Sequence, residues 1–146
     1  MVKRASALVR LSRDHHAALV AAQRLRRATA AVSGEAREVF LAFWDGGGAR
    51  HFRVEEEVLL PAFAGWGDAY EPLVARTLCD HVAIRTRVRA LRDTGSAVLA
   101  DLHALGDVLA AHVRMEEREL FPLIERTIPA AELDMVADAV ERAERS

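Results

Sequence analysis

The sequence HFRVEEEVLLP at residues 51–61 returns as HVRMEERELFP at residues 112–122, and both stretches fit the pattern H-x-R-x-E-E-x-x-L-x-P. All six identities share one offset of 61 residues, although the chain contains only 6 histidines and 4 prolines. The dipeptide Asp-His, at residues 14–15 and 80–81, precedes each stretch. We therefore interpret the chain as two helical hairpins of one plan, each with a D-H helix followed by an H-x-x-x-E helix.

In both stretches a histidine and a glutamate are four residues apart. Residues at this spacing lie on the same face of an α-helix, about one turn from each other. His51 and Glu55 can therefore reach one site, and His112 and Glu116 can do the same from a second helix. The spacing predicts that each H-x-x-x-E segment presents an imidazole and a carboxylate to the interior of the fold.

Apolar residues recur at steps of three and four along the chain, and no stretch alternates as a strand would, so the pattern predicts an all-α fold. His15 and His81 fall on the inner stripes of the first and third helices. We expect an antiparallel up-down four-helix bundle, built from two hairpins, as a single domain over residues 1–146. The predicted helices cover about residues 6–29, 35–60, 71–92 and 96–121, with a short C-terminal helix at about 129–143.

Turn signals set the expected helix ends. Ser33-Gly34 should end the first helix, and Gly95 should end the third, with the fourth starting near Ser96. Pro122 should end or kink the fourth helix because proline lacks a backbone donor and clashes with the preceding turn. Pro129 suits the first position of the short C-terminal helix.

A run of three glycines, residues 46–48, opposes the prediction of one continuous second helix. Each glycine destabilises a helix interior by roughly 0.5–1 kcal/mol relative to alanine. We nevertheless expect the helix to continue, because Gly47 falls on the inner stripe, where a small residue would let a neighbouring helix approach.

Packing the two hairpins would collect four imidazoles and two carboxylates in the centre of the bundle. Buried carboxylates without partners are very costly, and two divalent cations would neutralise them. Iron, manganese and zinc all suit imidazole and carboxylate ligands. We expect each glutamate to bridge both ions and each ion to take two histidines. The predicted ligands are His15, His51, Glu55, His81, His112 and Glu116.

This ligand set would leave coordination positions open. Four histidines and two bridging glutamates supply eight bonds, whereas two six-coordinate ions take about twelve, and closed structural sites do not leave such gaps. The sequence therefore predicts that solvent or a small diatomic molecule or peroxide can bind at the centre.

The motif resembles the hemerythrin-like, HHE cation-binding family, whose pattern is a His, an H-x-x-x-E, a His and an H-x-x-x-E on four helices. The resemblance covers about residues 8–125, and all six predicted ligands occupy motif positions. It implies two iron ions in a non-haem centre that binds or reacts with oxygen, nitric oxide or peroxide, in sensors, carriers, storage proteins or iron-repair factors. Oxygen carriers have a second His where this chain has Arg85, and an Asp one residue beyond Glu116, so the resemblance to carriers is incomplete.

Several residues near the motif leave alternatives open. His16 points about 100° away from His15, which favours a surface or supporting place, with ligation instead of His15 as the alternative. Asp14 and Asp80 either orient imidazoles across the bundle or cap helices and face solvent. His103 is out of phase with His112, and we expect it to be solvated.

Glu56 and Glu117 also repeat, one residue after each predicted glutamate ligand. They lie off the ligand face of an α-helix, so we expect them on the surface, paired with Arg53 or Arg114. Such surface pairs contribute only about 0–1 kcal/mol.

Composition limits the partners and the location. The 20 basic residues against 22 acidic ones are spread along the chain, which argues against nucleic acid. No segment reaches about 18 apolar residues, and the stretch from Met1 to Leu11 lacks an apolar run, so we expect no membrane contact. The single cysteine, Cys79, excludes an internal disulfide and fits a reducing compartment, so we expect a cytoplasmic protein.

The first functional hypothesis is a di-iron protein that binds, senses, stores or detoxifies oxygen or nitric oxide. The alternatives are a redox enzyme that turns over peroxide or nitric oxide, and an iron-repair or iron-storage protein. A metal-free interaction bundle is the weakest hypothesis. We find no dedicated electron-transfer site or proton relay in the sequence, so the sequence does not separate a binding protein from an enzyme, and the binding protein remains the first hypothesis.

Overall fold

The computed structural model describes residues 4–95 and 97–146, and these residues form helices and turns but no strand. A single turn of 3₁₀ helix, Ala30–Val32, precedes the second helix. The predicted all-α helical bundle is confirmed. The five helices are α1 (Ser6–Arg26), α2 (residues 33–64), α3 (Pro72–Thr94), α4 (residues 99–127) and α5 (Ala130–Arg145).

The helices α2 and α4 are each built from consecutive segments. Three of these segments are wide π turns, in which a backbone N–H donates to the carbonyl five residues earlier, as Leu60 does to Glu55. The segments of α2 are Ser33–Phe43, Trp44–Gly48 (π), Ala49–Val54, Glu55–Leu59 (π) and Leu60–Ala64. Those of α4 are Leu99–Met115, Glu116–Leu120 (π) and Phe121–Thr127.

A π turn directly precedes the segments that contain Pro61 and Pro122. Proline has no N–H to donate and its ring clashes with the carbonyl four residues earlier in a regular helix. The widened turn interrupts that regular pattern just before each proline, so the helical path continues. The expected end of the fourth helix at Pro122 is therefore wrong, since α4 runs on to Thr127.

Other helix ends differ from the predictions by a few residues. The helix α1 ends at Arg26, and Ser33 and Gly34 begin α2 rather than forming the turn after α1. Gly95 ends α3 with a left-handed φ of 64°, as predicted. Ser96, the predicted start of the fourth helix, lies outside the described residues, and α4 begins at Leu99.

The glycine run does not have the predicted role. Gly47 has a non-helical backbone, with φ 171° and ψ −24°, so α2 is kinked there. A Cβ on Gly47 would meet only the end of the Arg50 side chain, at 3.8 Å, so this glycine does not admit a neighbouring helix. Gly106 in α4 does: a Cβ there would lie 2.7 Å from the carbonyl oxygen of Ala22 in α1.

The helices α1 and α4 are antiparallel, because residues near the start of α1 contact residues near the end of α4. Arg4, just before α1, contacts Glu125, Ser12 contacts Glu117, and Ala22 approaches Gly106. No helix formed by the described residues is long and apolar enough to cross a membrane.

Apolar side chains form two cores that are separated along the bundle. One core contains Leu25, Phe40, Ile84 and Leu105, among others. The other contains side chains from all five helices, including Leu8, Leu59, Val74, Phe121 and Leu133. Val39 and Leu78 belong to neither core and are 38% and 41% exposed.

Buried polar residues lie between the two cores. Along α1, for example, Leu11 belongs to one core and Ala18 to the other, and the buried His15 lies between them. Along α4 the order is reversed, since His112 follows Leu109 of the core that contains Ala18 and precedes Met115 of the core that contains Leu11. The fold therefore encloses a polar cluster with apolar layers on both sides.

Candidate metal centre

The six predicted ligands come together between the two cores. Each of α1 to α4 contributes one histidine, and α2 and α4 each add one glutamate. All six side chains are buried, and both glutamates have 0% exposure. They are His15, His51, Glu55, His81, His112 and Glu116.

These side chains form two groups that share both glutamates. His15 and His51 lie with Glu55 and Glu116 in one group, and within it the potential ligand atoms are all within 4.8 Å of one another. The second group contains His81 and His112 with the same two glutamates, at the same limit of separation. Each carboxylate could therefore bind one metal ion in each group.

Individual distances show how the carboxylates face both groups. Glu55 Oε2 lies 3.2 Å from His51 Nε2, while Glu55 Oε1 lies 3.2 Å from His81 Nε2. Glu116 Oε2 lies 3.3 Å from His15 Nε2, and its Oε1 contacts His112 Nε2. One oxygen of each carboxylate thus faces the first group and the other faces the second.

The inward-facing atoms have no hydrogen-bond partners within the described chain. They are eight buried atoms: the four imidazole Nε2 atoms and the four oxygens of Glu55 and Glu116. An unsatisfied buried polar group destabilises a protein by about 1–3 kcal/mol, and more when it is charged. Cations coordinated by these atoms would remove that penalty, so the residues present fit a metal centre.

Each imidazole is held from the outside by a carboxylate on its Nδ1 atom. Asp14 Oδ2 lies 3.0 Å from His51 Nδ1, and Asp80 Oδ2 lies 3.0 Å from His112 Nδ1. Because a carboxylate only accepts, Nδ1 carries the proton and Nε2 is left to face inward as a ligand atom. Of the two alternatives for Asp14 and Asp80, orientation of imidazoles across the bundle is therefore the one observed.

Glu56 and Glu117 hold the other two imidazoles, so the expected surface pairing with Arg53 or Arg114 is wrong. Glu56 Oε2 lies 2.6 Å from His81 Nδ1, and Glu117 Oε2 lies 2.7 Å from His15 Nδ1. The physical reason is the π turn that begins one residue earlier in each case. A wide turn rotates successive residues less than an α turn does, so the second glutamate stays close to the ligand side. The repeated E-E pair was the available sequence signal.

Two arginines and two phenylalanines contact the histidines or carboxylates of the cluster, and the sequence did not predict these contacts. Phe52 stacks on His81 with ring centroids 3.8 Å apart, and the Arg85 guanidinium lies 5.7 Å from the Phe52 centroid.

Phe121 stacks on His15 at 5.1 Å, and the Arg4 guanidinium lies 5.6 Å from the Phe121 centroid. Arg4 also contacts Glu117, as Arg85 contacts Glu56. The two arrangements are alike, although the arginines come from non-equivalent positions in the two hairpins.

Three further residues lie outside the cluster. His16 is exposed and belongs to neither group, so the structure places His15, not His16, at the centre. His103 is half-buried and its Nε2 lies 2.9 Å from the carbonyl oxygen of Ala28, so the expectation of a solvated histidine is wrong. Cys79 is exposed.

The buried carboxylates attract positive charge to the cluster. Burial alone lowers the pKa of His15, but the adjacent carboxylates of Glu116, Glu117 and Glu55 outweigh burial and raise that pKa to about 12. The same balance of burial against nearby carboxylates raises the pKa of His51 to about 10 and that of His81 to about 9. Burial raises the pKa of Glu55, yet the positive charge of His51 and the neighbouring side chains of Glu116 and His15 hold it well below its usual range.

Comparison with known proteins gives one match. The family model described as the hemerythrin HHE cation binding domain matches residues 6–124, which include all six clustered residues. No curated protein and no solved structure matches the chain significantly.

Proposed function

The chain belongs to the hemerythrin HHE cation-binding family, and from this membership and the buried cluster we propose that it binds two iron ions. The observation that carries the proposal is the set of eight buried, unpartnered ligand atoms in two groups that share both carboxylates. In each group, two imidazole nitrogens and one oxygen from each glutamate would hold one ion. The proposed protein ligands are His15, His51, Glu55, His81, His112 and Glu116.

Iron is the proposed metal because the family favours it, although manganese and zinc also suit imidazole and carboxylate ligands. Four protein ligands for each ion leave positions open at the usual coordination number of about six. When bound, the ions would supply reversible binding or redox chemistry toward a small molecule such as oxygen, nitric oxide or peroxide. We therefore propose a protein that binds, senses, stores or detoxifies oxygen or nitric oxide.

The remaining residues of the cluster would keep the ligands in place. The carboxylates of Asp14, Glu56, Asp80 and Glu117 each hold one imidazole by its Nδ1 atom. Such supporting contacts fix the orientation of the ring and raise the basicity of its other nitrogen. The two apolar cores on either side limit the access of water and strengthen electrostatic interactions within the cluster.

Metal analysis tests the proposal directly. Protein reconstituted with ferrous iron under reducing conditions should hold two ions per chain, and oxidation should give a charge-transfer band in the near ultraviolet. The variants Glu55→Gln and Glu116→Gln should lose metal. Glu57→Gln, an exposed glutamate on the same helix as Glu55, is the matched control and should retain both ions. A reconstituted wild-type protein with one ion or none would refute the dinuclear centre.

A second measurement separates binding from catalysis. A sensor, carrier or storage protein should take up oxygen, nitric oxide or peroxide in a fixed ratio to the iron present. An enzyme should consume many equivalents when a reductant is supplied. We expect uptake in fixed ratio, and sustained turnover by the iron-loaded protein would favour the redox-enzyme alternative.

A further inference from the structure

A cavity of about 370 Å³ lies beside the candidate metal centre. Its walls come from α1, α2, α4 and the end of α5. The imidazoles of His15, His51 and His112 form part of the wall, so the cavity reaches histidines of both groups. This volume lies within the range of pockets that hold organic ligands, about 300–1,000 Å³, and is far larger than a diatomic molecule needs.

The wall is mainly apolar and includes aromatic rings. Trp44 and Phe52, which meet edge to face with centroids 5.2 Å apart, contribute two of these rings. Leu109 and Val113 of α4 lie across the cavity from α2 and are buried. Such a wall favours the flat apolar body of an organic molecule.

The cavity lies where the two hairpins differ in sequence and in backbone structure. The glycines at residues 46–48 line it, within the π turn Trp44–Gly48 and the kink at Gly47. At the equivalent place in the second hairpin, 61 residues later, the chain has Asp107, Val108 and Leu109 in a regular α-helical segment. The π turns that begin at the two cluster glutamates, in contrast, occur in both hairpins.

The glycine kink is therefore not needed to build the metal ligands, because the second hairpin supplies an equivalent set without it. Glycine weakens a helix interior, and π turns inside helices occur frequently at functional sites. A structural irregularity that appears in one hairpin only, and that opens a cavity against the cluster, points to a role in ligand binding.

Arg50 contributes a positive charge to the cavity wall. It precedes His51, lines the cavity, and makes one long hydrogen bond of 3.5 Å, to the carbonyl of Gly46. Across residues 4–95 and 97–146, no carboxylate forms an ion pair with it. The two acidic residues of the wall have partners of their own: Asp14 accepts from His51, and Glu144 pairs with Arg10 at 2.7 Å through Oε2. The other oxygen of Glu144, Oε1, is buried and has no hydrogen-bond partner among the described residues.

We propose that this cavity binds a small organic monocarboxylate with an apolar, aromatic body. The ligand's carboxylate would pair with Arg50, whose planar guanidinium matches carboxylate geometry, and its ring would pack against Trp44 and Phe52. The inference rests on the proposed function for what the ligand does, since it would lie against imidazoles of the centre. It does not rest on the metal for binding, because the wall and the charge belong to the chain.

Fluorescence of Trp44 tests the proposal. Trp66 is 54% exposed and does not line the cavity, so the variant Trp66→Phe leaves Trp44 as the single reporter. The iron-loaded protein is titrated with benzoate and, as a neutral probe of the same size, with benzyl alcohol. We expect a saturable change with benzoate at one molecule per chain, and at least tenfold weaker binding of benzyl alcohol.

Two variants and one matched control assign the site. Arg50→Gln should weaken benzoate binding at least tenfold and leave benzyl alcohol binding unchanged, whereas Gly47→Leu should weaken both by filling the cavity. Arg53→Gln, an exposed arginine outside the cavity and three residues further on, should bind benzoate as the parent does. Absence of saturable binding, or binding that Arg50→Gln and Gly47→Leu leave unchanged, would overturn the proposal.

Measurements of iron content distinguish failure of the metal proposal from failure of the cavity proposal. Benzoate titration is repeated with metal-stripped protein, and the iron content is measured in parallel for every variant. Benzoate binding without iron in the reconstituted protein would support the cavity and refute the dinuclear centre. Two ions per chain without benzoate binding would support the centre and refute the cavity ligand.

Discussion

Arg85 donates a hydrogen bond of 2.6 Å to Glu56, onto the same carboxylate oxygen that lies 2.6 Å from Nδ1 of His81. Arg85 stands where the resemblance to oxygen carriers would place a second histidine. Its guanidinium does not enter either group of potential ligand atoms. It instead fixes the carboxylate that orients His81, and it covers the ring of Phe52 that stacks on His81.

Replacing Arg85 by Gln should loosen Glu56 and His81 without removing a ligand. We expect iron-loaded Arg85→Gln protein to retain two ions but to release iron to a chelator several times faster, with a shifted near-ultraviolet band. Arg89→Gln, one turn further along α3 and 85% exposed, is the control and should match the wild type. Equal release rates and spectra for both variants would show that Arg85 does not support the centre.

The four cluster glutamates should fall into two classes. Glu55→Gln and Glu116→Gln remove carboxylates that face both groups of histidines and should abolish binding of at least one ion. Glu56→Gln and Glu117→Gln remove only an outer partner of an imidazole, so iron affinity should fall about 10- to 100-fold. Equilibrium competition with a chelator measures both classes. An unchanged affinity in Glu56→Gln would contradict the assigned role of its contact with His81.

The close approach of α1 and α4 at Gly106 predicts a large effect of a single methyl group. A Cβ at this position would lie 2.7 Å from the backbone oxygen of Ala22, and overpacking typically destabilises a protein by about 1–3 kcal/mol. Gly106→Ala should therefore lower the melting temperature by several degrees. Gly34→Ala is the control, because a Cβ there meets nothing within 4 Å, and its melting temperature should stay the same or rise. Equal melting temperatures would refute the close contact.

Metal removal should make stability dependent on pH in the alkaline range. The pKa values of His81 and His51 rise from 6.5 to about 9 and about 10 in the folded protein, after burial, which lowers them, is outweighed by nearby carboxylates. A raised folded-state pKa gives stabilisation that is complete below pH 6.5 and is lost as pH rises through the folded value. The urea midpoint of metal-stripped protein should therefore fall between pH 7 and pH 10.

The metal-loaded protein is the comparison for this pH series. Its imidazoles would bind cations rather than protons, so its urea midpoint should change less over the same range. A midpoint of the metal-stripped protein that stays constant or rises up to pH 10 would contradict the charge balance inferred for the cluster.

Local spacing was sufficient to predict the helical fold and to select the six clustered residues. The four-residue step from His51 to Glu55 places both on one helical face, and the repeat supplies the second pair. Asp14 and Asp80 were recognised as potential partners because each adjoins a predicted ligand.

The contacts that were missed depend on tertiary structure. Arg4 reaches Glu117 over 113 residues of sequence, and no local pattern predicts which arginine will do so. The positions of Glu56 and Glu117 depend on π turns, whereas the prediction assumed regular α-helical phase. Gly47 was assigned the close helix contact that belongs to Gly106, because a small residue on an inner stripe does not reveal which helix lies opposite.

The π turns that begin at Glu55 and Glu116 change the helical phase of α2 and of α4. Each π turn contains one residue more than an α turn, so the residues before it and after it follow the helix with different phases. Up to Glu55 and Glu116, the phase aims side chains at the cluster, and beyond them it aims Leu59, Phe63 and Phe121 at the second core. Deleting one residue from either turn would restore a single phase and rotate one half of the helix against the other. The geometry of the candidate metal centre therefore depends on the length of these two segments as well as on the identity of the ligands.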